Sequence, residues 1–294
     1  MINFRLISRG QRTLMSLIAR FGTRVDPVGE RTDLPIFVHF VCWKSLLYRG
    51  SGHKYGVTRG DGSEAIVTCF VLIHGTTQGP RGWDRVARSL TAAGHTIRAV
   101  ELDSSTQTTP QEYARTIAAS ADVPRGSVVV AHSGAGLILP AVARELDAAL
   151  QVWVAAMIPD GEHALLEEIR QSPAPIFHPD WIGVDPVTDH EAALHFLFHD
   201  CDPRTQQWAL GTLRLFVPGY AYAHPVSLTP EIPSLYIAAA LDRTLIPNWC
   251  VEAAAHRLGV RAVEMRTGHC PHVSAPEALA RLLAEHTGTT SLAT

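Results

Sequence analysis

What this 294-residue sequence lacks narrows its class before anything it contains. No apolar run approaches the roughly 18 residues of a membrane-spanning helix. The run from Leu34 to Trp43 is too short and leads straight into Lys44. Cysteine is sparse: Cys42, Cys69, Cys201, Cys250 and Cys270 are odd in number and form no C-x-x-C pair. That excludes a disulfide scaffold and leads us to expect a reducing, cytoplasmic setting. Repeats and low-complexity tracts are absent. So is any basic face interleaved with aromatics, which argues against a nucleic-acid partner.

Charge is nearly balanced at −3, but its placement is uneven. Residues 1–60 carry ten Lys+Arg against three Asp+Glu, or +7, which leaves −10 on the remainder. The first 24 residues hold Arg5, Arg9, Arg12, Arg20 and Arg24 and no acid. Leu6, Leu14, Leu17, Ile18 and Phe21 form a rough apolar stripe beside them, the pattern of a membrane-surface or targeting helix. The plainer reading, a basic extension without a packed role, is preferred here. Residues 1–64 are therefore set apart with no role assigned.

What is present is a core-forming composition, 46% hydrophobic, enough for one large domain or one domain with an insertion. From residue 65 strand and helix patterns alternate. Ala65–Ile73, Thr96–Leu102, Val128–Val130 and Gln151–Ile158 read as strands, with helices over Trp83–Ala93 and Gly136–Leu146. Thr109-Pro110-Gln111-Glu112 is a capping box with Pro at the first helical position. The alternation lapses between Asp160 and about Ile232, where one clear helix, near Pro203–Phe216, is expected. It resumes with Ser234–Ala240, a helix near Asn248–Leu258, the strand Arg261–Met265 and a helix opened by the capping box Ser274-Ala275-Pro276-Glu277. Such alternation implies an α/β fold with a mostly parallel sheet covered by helices on both faces. The division expected is a core over 65–160 and 232–287, an inserted helical cap over 161–231 and a loose tail over 288–294.

Four strand ends carry candidate chemistry. VVVAHSGAG places Ser133 on a strand-to-helix turn, where a hydroxyl is exposed and the next N–H points toward the same spot. Ala131 and Ala135 stand where the G-x-S-x-G pattern has glycine; each adds one methyl, while Gly134 and Gly136 keep the bend supple. His74-Gly75-Thr76-Thr77 follows a strand, so that the Thr76 N–H can join that of Gly134 at a developing oxyanion. Asp242 lies just beyond Ser234–Ala240, and His269 just beyond Arg261–Met265. Carboxyl ends of parallel strands line the ligand crevice. A serine, an acid and a histidine in that chain order at three of them make a nucleophile, its orienting acid and its base. Asp160, at another strand end, competes with Asp242 for the acid. His195 and His199, one helical turn apart, have the spacing of a metal pair but no glutamate base between them; they read instead as cap residues. Thr77, His132 and Trp83 are candidate substrate contacts. Cys270 and His272 read as loop packing.

FVLIHGTTQGPRGWDRVARSLTAAGHTIRAVELD, AAMIPD, GHCPHVSAPEAL and LFHDCDPRTQQWAL together resemble one branch of the α/β-hydrolases over about 65–287. It is the branch of the plant hydroxynitrile lyases, small-molecule methylesterases and pyrethroid-hydrolase-like esterases. The resemblance implies Ser133 as nucleophile, His269 as base, Asp242 as orienting acid, and Thr76 and Gly134 as oxyanion donors. It implies hydrolysis of a small apolar ester, thioester or lactone through an acyl-enzyme, with no cofactor and no metal. The lyases of the branch carry a lysine directly after the histidine; this chain has Cys270 there. Two other readings stand beside the esterase: a lyase or biosynthetic cyclase on the same fold, and a non-catalytic protein that holds an apolar small molecule.

Overall fold

A computed structural model of the chain describes residues 56–58, 64–120, 122–172 and 175–289. The basic segment 1–24, the run Leu34–Trp43, Cys42 and residues 290–294 of the tail lie outside these. Two short strands, β1 (Gly56–Thr58) and β2 (Glu64–Ile66), form an antiparallel pair of their own. Six further strands follow: β3 (Cys69–Ile73), β4 (Thr96–Val100), β5 (Val128–His132), β6 (Leu150–Val154), β7 (Ser234–Ala239) and β8 (Val263–Met265). They pair in parallel in the order β4-β3-β5-β6-β7-β8. The single strand expected over Ala65–Ile73 is thus two. The chain breaks at Val67, which faces solvent, and an unbroken apolar run hides such a break.

The sheet is buried on both faces, which is why β5 and β6 read as continuous apolar runs. Side chains alternate across it. Val128 and Val130 join Phe70, Leu72, Val152 and Val154 in one cluster, and Val129, Ala131 and Trp153 belong to the other. Helices α1 (Asp84–Ala92) and α10 (Pro276–Thr289) cover the first face with Leu90, Leu279 and Leu283. Helices α2 (Pro110–Ala118), α3 (Leu139–Glu145) and α8 (Pro247–Leu258) cover the second through Ile117, Val142 and Ala254. The Thr109 box forms as expected. The Thr109 hydroxyl accepts from Glu112 N–H at 3.2 Å, and the Glu112 carboxylate accepts from Thr109 N–H at 2.8 Å. The box expected at Ser274 does not form among the described residues. Ser274 ends a short helix, α9 (Pro271–Ser274), and its hydroxyl donates to the Cys270 carbonyl.

Between β6 and β7 lie α4 (Leu165–Gln171), α5 (His190–Phe196), α6 (Pro203–Leu210) and α7 (Gly219–Ala223). The helix expected over Pro203–Phe216 stops at Leu210. Asp202 caps its start, accepting from Arg204 and Thr205 N–H, and the chain beyond Gly211 turns extended. That extended run bonds to the loop after β3: Gly79 N–H to Thr212 O, Arg214 N–H to Thr77 O and Phe216 N–H to Thr76 O. Arg214 also pairs with Glu101 and Asp103 beyond β4. These long-range bonds satisfy backbone groups that a longer helix would have paired locally, so tertiary context overrides helix propensity. Among the described residues no helix is long and apolar enough to cross a membrane. Strand order reverses at β3, with β4 on one side and β5 on the other. In open parallel sheets the ligand crevice lies beyond the carboxyl ends at that reversal.

Candidate active site

Both loops at the reversal carry predicted residues. β5 ends at His132, and a 3₁₀ turn, Ser133–Leu137, begins with Ser133 at φ 54°. A left-handed serine costs on the order of 1–3 kcal/mol and persists only where its surroundings hold it. Close packing does so here. A Cβ on Gly136 would stand 2.0 Å from the Met157 carbonyl oxygen, and one on Gly75 would stand 2.5 Å from His132 Nδ1. At Gly134 it would meet Thr76 Cγ2 at 2.4 Å and the Tyr222 hydroxyl at 2.6 Å. Ala131 and Ala135 are fully buried, their methyls absorbed into the core. The obligatory glycines are therefore 75, 134 and 136, rather than 131 and 135. Gly134 is the second residue of the turn, so its N–H has no acceptor within it. Among the described residues the Thr76 N–H donates to no backbone carbonyl either.

The loops after β7 and β8 bring Asp242 and His269 to this turn. Ser133 Oγ lies 2.9 Å from His269 Nε2, and His269 Nδ1 lies 2.7 Å from Asp242 Oδ2. Asp242 Oδ1 accepts from Thr244 N–H, the Thr244 hydroxyl and Leu245 N–H at 2.7, 2.9 and 3.0 Å. Only Oδ2 remains for the histidine. A carboxylate can only accept, so Nδ1 carries the proton and the Nε2 lone pair faces the serine. Asp160, the competing acid, is committed elsewhere: it accepts from Glu162 and His163 N–H, and its other oxygen pairs with the His163 ring at 2.8 Å.

Behind the three residues sits a buried aromatic and histidine cluster. His132 and Trp83, expected at the substrate, are both fully buried there. The Trp83 ring packs against His272 at 4.5 Å between centroids. His132 Nε2–H donates to the His269 carbonyl at 2.9 Å and so fixes the backbone of that loop. His272 Nε2–H donates to Gln78 Oε1 at 2.8 Å, and the Gln78 amide donates to Thr212 Oγ1 at 2.8 Å. Gln78 thereby ties the histidine loop to the segment between β6 and β7. Desolvation holds His132 well below the usual imidazole range, and it lowers His74 to about 4 and His272 to about 3, so all three are neutral at pH 7. Burial pushes the Cys270 thiol up, which keeps it protonated.

A second set of contacts reaches the acid and histidine loops from the turn that follows α5. His199 Nε2–H donates to the Leu241 carbonyl at 3.0 Å, and Asp200 Oδ2 accepts from Gly268 N–H at 2.6 Å. His195 lies beside Arg243 instead. The two histidines thus serve different partners, and among the described residues no three His, Cys, Asp or Glu side chains gather as metal ligands. Of the aromatics between β6 and β7, some of which the sequence leads one to expect at a pocket, Phe177, Trp181 and Tyr222 line the cavity. Gln78 and Asp200 are site neighbours that the sequence pattern does not single out, although they adjoin the motif residues of HGTTQ and FHD.

A cavity opens beside the turn. Thr76, Thr77 and Tyr222 lie on it; the rest of its wall, including Leu165, Ile169, Phe177, Trp181 and Val217, is apolar, and among the described residues no charged side chain lines it. Its hydroxyl end abuts Gly134, the residue after Ser133.

This architecture matches solved structures over nearly their whole length. A polyneuridine aldehyde esterase aligns at 20% identity and TM-score 0.60, covering 75% of this chain and 99% of its own. A methylesterase from Arabidopsis aligns at 17% and 0.58, covering 76% and 99%. A pyrethroid hydrolase from Sphingobium faniae JZ-2 aligns at 20% and 0.61, covering 76% and 98%. No curated protein sequence matches the chain. A model of the Alpha/beta hydrolase family matches residues 70–282, most of the chain, and the chain belongs to that family.

Proposed function

We propose that the protein is a serine esterase that cleaves a small, neutral, apolar carboxylic ester, thioester or lactone. The observation that carries this reading is the unbroken series Ser133–His269–Asp242, with contacts of 2.9 and 2.7 Å at a buried crevice. His269 Nε2 takes the Ser133 proton as Oγ attacks the carbonyl carbon, and the carbonyl π pair moves onto oxygen. The N–H groups of Thr76 and Gly134 receive that oxyanion. Collapse expels the alcohol, which takes the proton from His269. Water then repeats the sequence on the acyl-enzyme and releases the acid. The segment between β6 and β7 acts as a cap over the reacting groups. Its apolar wall, uncharged among the described residues, favours an uncharged acyl or ring-bearing substrate. The structural neighbours, a polyneuridine aldehyde esterase, a methylesterase and a pyrethroid hydrolase, support the same class.

The direct test uses a fluorophosphonate probe and intact-mass detection. The wild-type chain gains one probe adduct that is lost in Ser133→Ala. Absence of an adduct on a folded wild-type chain sinks the acyl-enzyme reading and leaves the binding-protein alternative.

A further inference from the structure

The three hydroxyls on the cavity wall divide into two kinds. Thr77 Oγ1 is buried without a hydrogen-bond partner among the described residues. The Tyr222 hydroxyl, carried in by α7, meets the Thr76 side chain over Gly134, where the Thr76 Cγ2 methyl and the phenol oxygen would stand 2.4 and 2.6 Å from an added Cβ. It thereby occupies the space a side chain on residue 134 would fill. Gly134 therefore does more than permit a tight turn. Its missing Cβ leaves a slot directly over the residue whose N–H faces the oxyanion, and a phenol O–H fills the slot.

We infer that Tyr222 is a third oxyanion donor, brought to the site by the cap. The inference rests on the acyl-enzyme reading above and deepens it. The phenol O–H lies against Gly134, whose N–H together with that of Thr76 is assigned to the oxyanion, and among the described residues no cation lines the cavity to share the charge. A donor set in place before reaction strengthens its bond as the carbonyl becomes an alkoxide, so it acts on the transition state more than on the ground state. Thr76 has two parts in this: its N–H is assigned to the oxyanion, and its side chain packs beside the phenol over Gly134. Burial pushes the Tyr222 phenol up from its ordinary value, against the opposing effect of the Thr76 hydrogen bond, so it remains an O–H donor across the working pH range. The anchoring is also in place. Tyr222 N–H bonds to Pro218 O, and the same chain segment is pinned to the Thr76 carbonyl through Phe216 N–H at 2.8 Å. Movement of the cap would carry a donor in or out of the site.

The test compares two ligands on wild type, Tyr222→Phe and Thr76→Val, all checked for an unchanged thermal melt. One ligand is an aryl trifluoromethyl ketone, whose carbonyl carbon bonds to Ser133 Oγ and leaves an alkoxide. The other is the matching methyl ketone, which binds without that bond. Removing one oxyanion-hole donor costs on the order of 10²–10³ in rate; with two N–H groups remaining, a loss of roughly ten- to hundred-fold is expected. Tyr222→Phe should lose that factor in trifluoromethyl ketone affinity and in kcat for a p-nitrophenyl ester. Methyl ketone affinity and KM should hardly change. Thr76→Val should show a smaller loss of the same pattern. Equal losses for both ketones would make Tyr222 a wall of the pocket and overturn the inference, as would no loss for either. A wild-type chain that forms no Ser133 adduct with the trifluoromethyl ketone overturns the acyl-enzyme reading itself.

Discussion

Asp242 gives one oxygen to His269 and the other to its own loop: Oδ2 lies 2.7 Å from His269 Nδ1, while Oδ1 takes three donors from Thr244 and Leu245. Asp242→Asn keeps the loop bonds if its amide oxygen takes the Oδ1 place. It then turns an NH₂ toward Nδ1, which forces the proton onto Nε2 and blinds the base. We expect kcat for a p-nitrophenyl ester to fall on the order of 10³–10⁴ with little change in melting temperature. Asp160→Asn, made in parallel, should cost less than about tenfold. The reverse ranking would assign the acid to Asp160.

Ser133→Ala and His269→Ala should each abolish that turnover, and the double variant should lose no more than either single one, because the groups act as a unit. Steady-state kinetics on the three proteins decides this. Ser133→Ala retaining wild-type turnover would remove the serine from the mechanism.

Gly136 faces the Met157 carbonyl, where a Cβ would come within 2.0 Å. A backbone carbonyl cannot swing away as a side-chain tip can, so Gly136→Ala should destabilise the fold by about 1–3 kcal/mol or more. Ala131→Gly and Ala135→Gly, which restore the motif's spacing, should not raise activity, since both methyls already fit a filled core. Thermal melts and ester kinetics of the three variants check this. A more active Ala135→Gly protein would show that the methyl strains the turn.

Strand ends were legible because the physics that places them is local. The apolar runs of β3 and β5 end just before His74 and at the turn that carries Ser133, those of β7 and β8 lead within a few residues to Asp242 and His269, and the switch-point rule does the rest. What sequence could not show is where long-range partners overrule local pattern. Leu213–Phe216 continues a helix-like composition, yet the loop 76–79 offers it backbone bonds, so it extends. His132 and Trp83 adjoin motif residues, yet they face inward. Neighbours in sequence need not share a side of the sheet. Tyr222 lies nearly ninety residues beyond Gly134, and nothing in either local pattern announces that one fills the gap left by the other.

Three buried histidines make the fold acid-sensitive. His74 and His272 are lowered to about 4 and about 3 in the fold, and His132 is well below 6.5, the value all three regain on unfolding. Between those limits the unfolded chain binds more protons, so stability rises with pH. It is fully present above about pH 7 and is lost as pH falls from about 6.5 toward 3. Each histidine contributes up to about 1.4 kcal/mol per pH unit in that window. His272→Gln, which keeps an amide donor for Gln78, should melt with a shallower pH dependence between 6.5 and 4. An unchanged slope in chemical denaturation would show that His272 is not held neutral by burial.

The same electrostatics decides between ester cleavage and cyanohydrin cleavage. Expelling cyanide leaves an anion that must be met by positive charge. The residue after His269 is Cys270, fully buried, its thiol kept protonated by desolvation and directed at Gln78 Oε1. The histidines behind the triad are neutral, and among the described residues no charged side chain lines the cavity. An oxyanion, by contrast, needs only short-range donors, and the Thr76 and Gly134 N–H groups stand at the turn. We therefore expect p-nitrophenyl ester hydrolysis and no cyanide release from mandelonitrile above the uncatalysed rate. Cys270→Lys would bury an unpaired ammonium and should lower stability by several kcal/mol rather than create a lyase. Cyanide release that depends on Ser133, measured against Ser133→Ala, would overturn the choice of hydrolase over lyase.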